Sequence, residues 1–240
     1  MLDRRQEGYR VLARVSIVIP TLDAAAALRR SLPPLAAFHA LDLIREVILA
    51  DGGSSDETPA IAEAAGARLA VSDRGRGVQL AAGAESARGE WLLFLHADTR
   101  LEPGWDDAVR AFVGDPGNAR RAAYFRLRLD DKRFGARRVV WLANLRSRLL
   151  GLPYGDQGLL VARAFYRELG GFRPLPLMED VDLVRRIGRR RLVVLDAAAV
   201  TSAARYRSGG YWLRPLRNQL CLLLWFLGLP ARVIARIYER

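Results

Sequence analysis

An aspartate stands just beyond an apolar stretch near the middle of the chain. Residues 91–95 are all apolar, and His96, Ala97 and Asp98 follow directly. Such a run predicts a strand buried on both faces. Ligands of an open α/β sheet bind outside the carboxyl ends of its strands, where the Asp98 carboxylate would hold a divalent metal against nucleotide phosphates. The alternative is a carboxylate that only caps the next turn.

A second aspartate follows another mostly apolar run. Residues 46–50 predict a strand, and Asp51 precedes Gly52 and Gly53, which permit a sharp turn close to a ligand. If both strands belong to one parallel sheet, their ends lie at the same rim. Asp51 and Asp98 then predict a nucleotide site with the base near Asp51 and the phosphates near Asp98, although each alone is compatible with a turn.

A basic segment lies between these two strands. Arg76 is flanked by Gly75 and Gly77 and precedes a predicted helix. Backbone N–H groups at a helix start and a planar guanidinium both favour anions. An exposed basic turn would explain the same residues equally well.

Strands and helices alternate along the chain, which predicts an α/β fold with a doubly wound, mostly parallel sheet and C-terminal helices. The predicted strands are 15–20, 46–50, 67–72, 91–95, 122–130 and 159–162. The predicted helices are 24–38, which Pro33 and Pro34 are expected to disturb, 55–65, 77–88 and 134–150, the last with Trp141 and Leu145 facing inward.

Composition predicts a globular protein with a large core. The 240 residues are 51% hydrophobic, and the single cysteine, Cys221, excludes an internal disulfide framework and a cysteine-based zinc site. The net charge of +12 comes from scattered arginines, a weak indication of nucleic-acid binding. Residues 1–14 are polar, without an apolar signal-peptide core, so a cytoplasmic location is expected.

The chain is predicted to form one domain, 1–200, followed by a basic and apolar helical tail, 201–240. Within the domain, 15–113 form the nucleotide-binding half and 114–200 the acceptor half. The apolar run 220–227 is too short to span a bilayer, which takes about 20 residues. Burial against the domain is predicted for it, with peripheral membrane contact at the inner face and a homodimer contact as the alternatives.

Taken together, these motifs resemble the family 2 glycosyltransferases, which have the Rossmann-like GT-A fold. The sequence carries Val-Ser-Ile-Val-Ile-Pro-Thr at 15–21, Ala-Asp-Gly-Gly-Ser-Ser-Asp-Glu-Thr at 50–58 and Phe-Leu-His-Ala-Asp-Thr at 94–99. Gly-Gly-Phe at 170–172 and Met-Glu-Asp-Val-Asp-Leu at 178–183 resemble the family's acceptor half. The chain looks most like a small bacterial subfamily, some members of which are linked to arsenosugar biosynthesis.

The resemblance implies a role for each matching residue. In the nucleotide pocket, Asp51 contacts the base or ribose of a nucleotide-sugar, expected to be UDP-linked, and Asp98 binds Mn²⁺ or Mg²⁺. His96 departs from the family's pattern, which has aspartate there. The complete set of nucleotide-binding residues implied is Pro20, Thr21, Asp23, Asp51, Gly53, Arg76, His96, Ala97 and Asp98.

The acceptor half is expected to supply the catalytic base. The resemblance implies Asp180 in that role, with Glu179 beside it, and direct attack by the acceptor hydroxyl, which inverts the anomeric carbon. Both carboxylates would also serve to complement a helix dipole. Further expectations are acceptor contacts from Asp156 and Gln157, for which a turn role is the alternative, and diphosphate binding by Arg205 and Arg207.

Two other functions remain open at this level. A nucleotidyltransferase acting on sugar phosphates would also hold metal-bound phosphates on such a sheet, but residues 21–27 lack a glycine- and lysine-rich phosphate loop. A basic nucleic-acid-binding protein would explain the charge but would leave Asp51, Asp98 and Asp180 without a role. The expected partners are therefore a nucleotide-sugar and a hydroxyl acceptor, and no nucleic acid.

Overall fold

The computed structural model describes residues 15–36 and 43–239. The polar segment 1–14, and the end of the helix predicted over 24–38, lie outside the described residues. Elsewhere the predicted α/β fold is confirmed: eight strands form one mixed sheet in the order β3-β2-β1-β4-β7-β6-β8-β5, with helices on its faces.

The first half of the sheet is parallel. Strands β1, β2 and β4 are almost entirely buried, because helices cover both faces of a parallel sheet and leave little room for polar side chains. Its elements are β1 (Val15–Thr21), α1 (Ala25–Ala36), β2 (Ile44–Asp51), α2 (Thr58–Ala64), β3 (Arg68–Val71), α3 (Arg76–Ser86) and β4 (Trp91–Phe94).

The second half of the sheet is mixed. Strand β7 pairs antiparallel with both β4 and β6, while β6 and β8 are parallel. These pairings bring the loop before β7 beside the end of β4. The elements are β5 (Thr99–Leu101), α4 (Trp105–Gly114), β6 (Ala122–Leu129), α5 (Phe134–Leu150), β7 (Leu159–Ala162), α6 (Arg163–Glu168), α7 (Glu179–Ile187) and β8 (Leu192–Thr201).

Helix α5 buries a different face from the one predicted. Trp141, expected to point inward, is 61% exposed, and Leu145 is half-buried. The side chains that the helix buries are Ala136, Val139 and Ser147. Large apolar residues occur on both sides of this helix, so hydrophobicity alone did not identify the packed side.

The tail folds into three helices, α8 (Ala204–Gly209), α9 (Leu213–Phe226) and α10 (Ala231–Glu239). The prediction that 220–227 is buried against the domain is only partly confirmed. Cys221 and Leu222 are buried, whereas Leu223 is 55% and Leu227 is 68% exposed. One face of a helix packs and the other does not. No helix in the described part of the chain is both long and apolar enough to cross a bilayer.

Candidate active site

The ends of β1 and β2 are tied together by the Asp51 carboxylate. Its oxygens accept hydrogen bonds from the Thr21 hydroxyl at 2.9 Å and from the backbone N–H of Gly53 at 3.0 Å and of Ser54 at 2.8 Å. Burial opposes the charge of Asp51, but these bonds and one from the Ser54 hydroxyl outweigh it and hold the pKa of Asp51 below its ordinary value. In this conformation Asp51 therefore fixes the turn.

A cleft of about 330 Å³ opens beyond the ends of β1 and β4. We call it the strand-end cleft. Its lining includes the predicted residues Pro20, Thr21 and Asp23 but neither Asp51 nor Gly53. Gln79, which the sequence reasoning missed, also lines it and donates hydrogen bonds to the carbonyls of Thr21 at 2.6 Å and Ala50 at 3.0 Å.

His96, Ala97 and Asp98 emerge at the end of β4 and line the same cleft. Nδ1 of His96 lies 4.0 Å from Oδ1 of Asp98. Burial, together with the charges of Arg76 and Arg205, holds the pKa of His96 well below its ordinary value. The imidazole is therefore neutral at neutral pH and able to accept a hydrogen bond or bind a metal.

Arg76, at the start of α3, is the centre of a carboxylate cluster. Its Nε lies 3.0 Å from Oε1 of Glu179, whose side chain is almost fully buried. Burial raises the pKa of Glu179 to about 7, against the lowering effect of Arg76. Burial also disfavours the charge of Arg76, but nearby carboxylates outweigh it and raise the pKa of Arg76; they belong to Glu179, Asp180, Asp156 and Asp98.

Asp180 is held at the start of α7. Its Oδ2 accepts a hydrogen bond from the backbone N–H of Gly155 at 2.8 Å, and its Oδ1 one from Val181 N–H at 2.8 Å. Met178, which directly precedes Glu179 and Asp180, has a φ of +67°, a left-handed conformation that is uncommon for a non-glycine residue. Such strain persists where the surrounding structure imposes it, and here it sets the direction in which α7 begins.

A second cavity, of about 140 Å³, separates Asp180 from Asp98, and both carboxylates line it. We call it the acidic cavity. It holds several buried polar atoms that have no hydrogen-bond partner in the described structure: Nε2 of His96, the Tyr154 hydroxyl, Oδ1 of Asp156 and Oδ1 of Asn218. Because such atoms cost free energy unless they are paired, their concentration here indicates a binding site for a polar ligand.

The two cavities share Arg76, His96, Asp98 and Arg205 as lining residues. These side chains form the boundary between a cleft at the strand ends and a cavity that contains unpaired polar atoms. A ligand that extends through this boundary would meet cationic groups and a carboxylate at the crossing and Asp180 on the far side.

Asp51, Gly53 and Glu179 line neither cavity, and the same is true of Gln157 and Arg207. Gln157 does not face a cavity: it is fully buried, donates to the Phe125 carbonyl at 3.1 Å and accepts from the Ser147 hydroxyl at 2.5 Å. In this conformation its side chain joins β6 to α5 and is not available to an acceptor. Arg207 pairs with Asp130 at 3.4 Å and lines neither cavity, so the expectation of diphosphate binding is kept for Arg205 alone.

Asp156 does line the acidic cavity, in an environment that disfavours its charge. Burial, together with Asp180 and Asp98, raises the pKa of Asp156 to about 6 although Arg146 and Arg76 oppose the shift. As the pH rises from the ordinary carboxyl pKa of about 3.9 towards 6, the unfolded chain loses this proton before the folded protein does. Stability is therefore lost as the pH rises through this window.

We accordingly expect Asp156→Asn to raise the free energy of unfolding near neutral pH by about 1–3 kcal/mol and to change it little at about pH 4. Denaturant unfolding at both pH values measures the difference, with Asp73→Asn, an exposed carboxylate, as the control. An equal effect of Asp156→Asn at both pH values would contradict the raised pKa.

Gly155 allows the Asp156 loop to lie against the cluster. A Cβ at this position would overlap the Arg76 guanidinium and Nε2 of His96. We expect Gly155→Ala to lower the free energy of unfolding by about 1–3 kcal/mol, measured by denaturant titration. Gly114→Ala is the control because nothing lies within 4 Å of a Cβ there; equal stabilities of the two variants would contradict this packing.

The residues at the end of β4 fit a divalent cation that is shared with a phosphate ligand. Within the described residues, no group of three or more His, Cys, Asp and Glu side chains is arranged to hold a metal. Mg²⁺-type sites commonly use one or two carboxylates and take their other ligands from water and substrate phosphates. Asp98, with the neutral imidazole of His96 beside it, meets that requirement.

The tail supplies a wall of the acidic cavity, of which the sequence analysis expected only the Arg205 contribution. Tyr206 of α8, Asn218 and Cys221 of α9 and Tyr238 of α10 line it. Tyr154, in the loop before β7, was also missed. A weak signal existed for Tyr154, since it stands between Pro153 and Gly155 beside the predicted contact Asp156.

Comparison with known proteins identifies the family. The glycosyl transferase family 2 profile matches residues 16–141, just over half of the chain. The chain therefore belongs to glycosyl transferase family 2.

A PGL/p-HBAD biosynthesis glycosyltransferase of Mycobacterium tuberculosis is 41% identical over 108 residues, which make up 42% of this chain and 41% of that relative. A Mycobacterium bovis relative of the same name matches equally. The alignment thus spans less than half the length of these relatives.

Several solved structures have a similar fold, among them a mannosyltransferase. TarS from S. aureus has a TM-score of 0.61 at 17% identity, over 94% of this chain and 69% of that one. A mannosyltransferase from Pyrobaculum calidifontis, in complex with GDP-Man and Mn²⁺, has a TM-score of 0.62 at 19% identity, over 87% and 61%. Glucosyl-3-phosphoglycerate synthase from Mycobacterium tuberculosis, with Mn²⁺ and UDP, has a TM-score of 0.54 at 22% identity, over 79% and 70%. These likenesses establish the GT-A fold.

Proposed function

We propose that this protein transfers a sugar from a nucleotide-sugar, most suitably a UDP-sugar, to an acceptor hydroxyl with inversion at the anomeric carbon. The observation that carries the proposal is the boundary between the strand-end cleft and the acidic cavity, which Arg76, His96, Asp98 and Arg205 form. A nucleotide in the cleft would have its diphosphate at this boundary and its sugar beyond it.

The donor half of the proposal rests on the charges at the boundary. Arg76 and Arg205 would bind diphosphate oxygens, and Asp98, with His96 beside it, would hold Mn²⁺ or Mg²⁺. Such a cation stabilises the negative charge that builds up on a departing diphosphate. Two solved structures of the same fold contain Mn²⁺ with UDP or GDP-Man, which supports a metal-bound nucleotide in this chain as well.

The acceptor half rests on Asp180. Its carboxylate lines the acidic cavity and is fixed by the Gly155 N–H at 2.8 Å, so it is suited to accept a proton. As the acceptor oxygen bonds to the anomeric carbon, the bond from that carbon to the diphosphate breaks and the acceptor proton passes to Asp180. Glu179, paired with Arg76, would position that guanidinium and would not touch the acceptor.

A panel of nucleotide-sugars tests the proposal. We expect release of nucleoside diphosphate from a UDP-sugar in the presence of Mn²⁺ and none in the presence of EDTA. GDP-, ADP- and CDP-linked sugars form the comparison set. Release that is equally fast with EDTA would contradict the role of the metal, and no release from any donor would contradict the proposed function.

A further inference from the structure

A third cavity, of about 360 Å³, lies between α5 and α9. We call it the apolar cavity. Its size falls in the usual range for small-molecule sites, roughly 300–1,000 Å³. The wall is formed largely by aliphatic side chains of β6 and α5: Leu127, Val139, Leu142, Leu145, Leu149 and Leu150.

The apolar cavity continues into the acidic cavity. Tyr154, Asp156, Tyr206 and Asn218 line both of them. At this junction the Tyr154 hydroxyl and Oδ1 of Asp156 are buried without a hydrogen-bond partner in the described structure. A molecule that extends from one cavity to the other would therefore meet polar partners at one end and hydrocarbon at the other.

The cationic lining residue of the apolar cavity is held by neighbouring groups. Arg146, its cationic lining residue, lies with its guanidinium carbon 3.4 Å from the centre of the Tyr154 ring and donates through Nε to the Leu152 carbonyl at 3.0 Å. The mouth is bordered by Leu149 and Leu150, which are 51% and 60% exposed. Exposed leucines beside a cavity favour a ligand that covers them.

We infer that the acceptor is an amphiphile, with a hydroxyl-bearing end in the acidic cavity and a hydrocarbon body in the apolar cavity. This inference rests on the proposed function, because it takes the acidic cavity to be where transfer occurs. Its specific content is the class of acceptor: an alcohol that carries an apolar group, bound through that group between α5 and α9.

The length of the hydrocarbon chain is the variable to test. Methyl, butyl, hexyl and octyl β-D-glucosides, kept below their critical micelle concentrations, are titrated calorimetrically into the full chain with UDP and Mn²⁺ present. We expect affinity to rise on the order of two- to fourfold for each added methylene and to level off once the cavity is filled. Affinity that does not depend on chain length would overturn the inference.

Two variants of α5 distinguish binding in the apolar cavity from non-specific binding to exposed apolar residues. Leu149→Gln removes apolar surface from the mouth, and Phe134→Gln removes it from a residue that is 79% exposed on the same helix but outside the cavity lining. We expect Leu149→Gln to weaken octyl glucoside binding by roughly 3- to 10-fold and Phe134→Gln to leave it unchanged. Equal losses in the two variants would overturn the inference.

A variant that fills the apolar cavity tests the inference without removing any apolar side chain. Ala143→Leu adds an apolar side chain to the lining, and we expect it to shorten the chain length at which affinity levels off. An unchanged plateau would count against the cavity as the binding site. UDP binding with Mn²⁺, measured on every variant, distinguishes failure of the proposed function from failure of the inferred acceptor class. If the unmodified chain does not bind UDP, the proposed function is refuted. If it binds UDP but glucoside affinity does not depend on chain length, only the acceptor class is refuted.

Discussion

Asp180→Asn is expected to lower the turnover number for sugar transfer by about 10²–10⁴-fold, the usual contribution of a general base. Asparagine keeps the shape of the side chain and an oxygen that can accept the hydrogen bond from Gly155 N–H, but it has no affinity for the acceptor proton. Affinity for the donor should remain the same, because the diphosphate is expected at Arg76, Arg205 and Asp98. Steady-state turnover and calorimetric UDP binding on the same variant measure both quantities.

The control for this variant is Asp107→Asn. Asp107 is also an acidic residue in the first turn of a helix, α4, but it lines none of the cavities described above. If Asp180 served only to complement the dipole of α7, both variants would lose a few tenths of a kcal/mol of stability and neither would lose activity. Near-normal turnover of Asp180→Asn would therefore refute the assignment of the base.

Asp98→Ala is expected to abolish the part of nucleoside diphosphate binding that depends on metal. Asp98 is only partly buried, beyond the end of β4, so its loss removes a metal ligand without opening a cavity in the core. The variant should keep the melting temperature of the unmodified chain. Calorimetric titration of UDP, with Mn²⁺ and with EDTA, gives the metal-dependent part of the affinity as a difference.

Asp73→Ala provides the matched comparison. Asp73 is an exposed carboxylate that follows β3, at the same edge of the sheet as Asp98. It does not line the strand-end cleft. We expect its replacement to leave the metal-dependent affinity unchanged. If Asp98→Ala binds UDP with Mn²⁺ as tightly as Asp73→Ala does, Asp98 does not hold the metal.

The sequence predicted the strands of the first half of the sheet well because local patterns and tertiary structure agree there. The run 91–95 is apolar throughout and the run 15–20 is apolar except for Ser16, a pattern typical of strands that are covered on both faces. Since such strands are parallel, the residues that follow them meet at one rim. The proximity of Thr21 and Asp98 in the strand-end cleft therefore follows from the order of strands along the chain.

The lining of the acidic cavity was less predictable because contacts between residues far apart in sequence determine it. Asp156 and Gln157 are adjacent in sequence, yet one lines the acidic cavity and the other is bonded to Phe125 and Ser147 inside the protein. Local propensity does not distinguish them, since the direction of each side chain depends on how α5 packs beneath the loop. The contribution of Asn218 from α9 likewise depends on a tail whose docking no local pattern specifies.

The configuration of the transferred sugar at its anomeric carbon tests the central claim most directly. In the proposed reaction a single displacement, assisted by Asp180, moves the sugar from diphosphate to acceptor. Proton NMR of the product formed from an α-linked nucleotide-sugar and octyl β-D-glucoside should therefore show a β-linked sugar. An α-linked product would contradict direct displacement by a hydroxyl that Asp180 deprotonates.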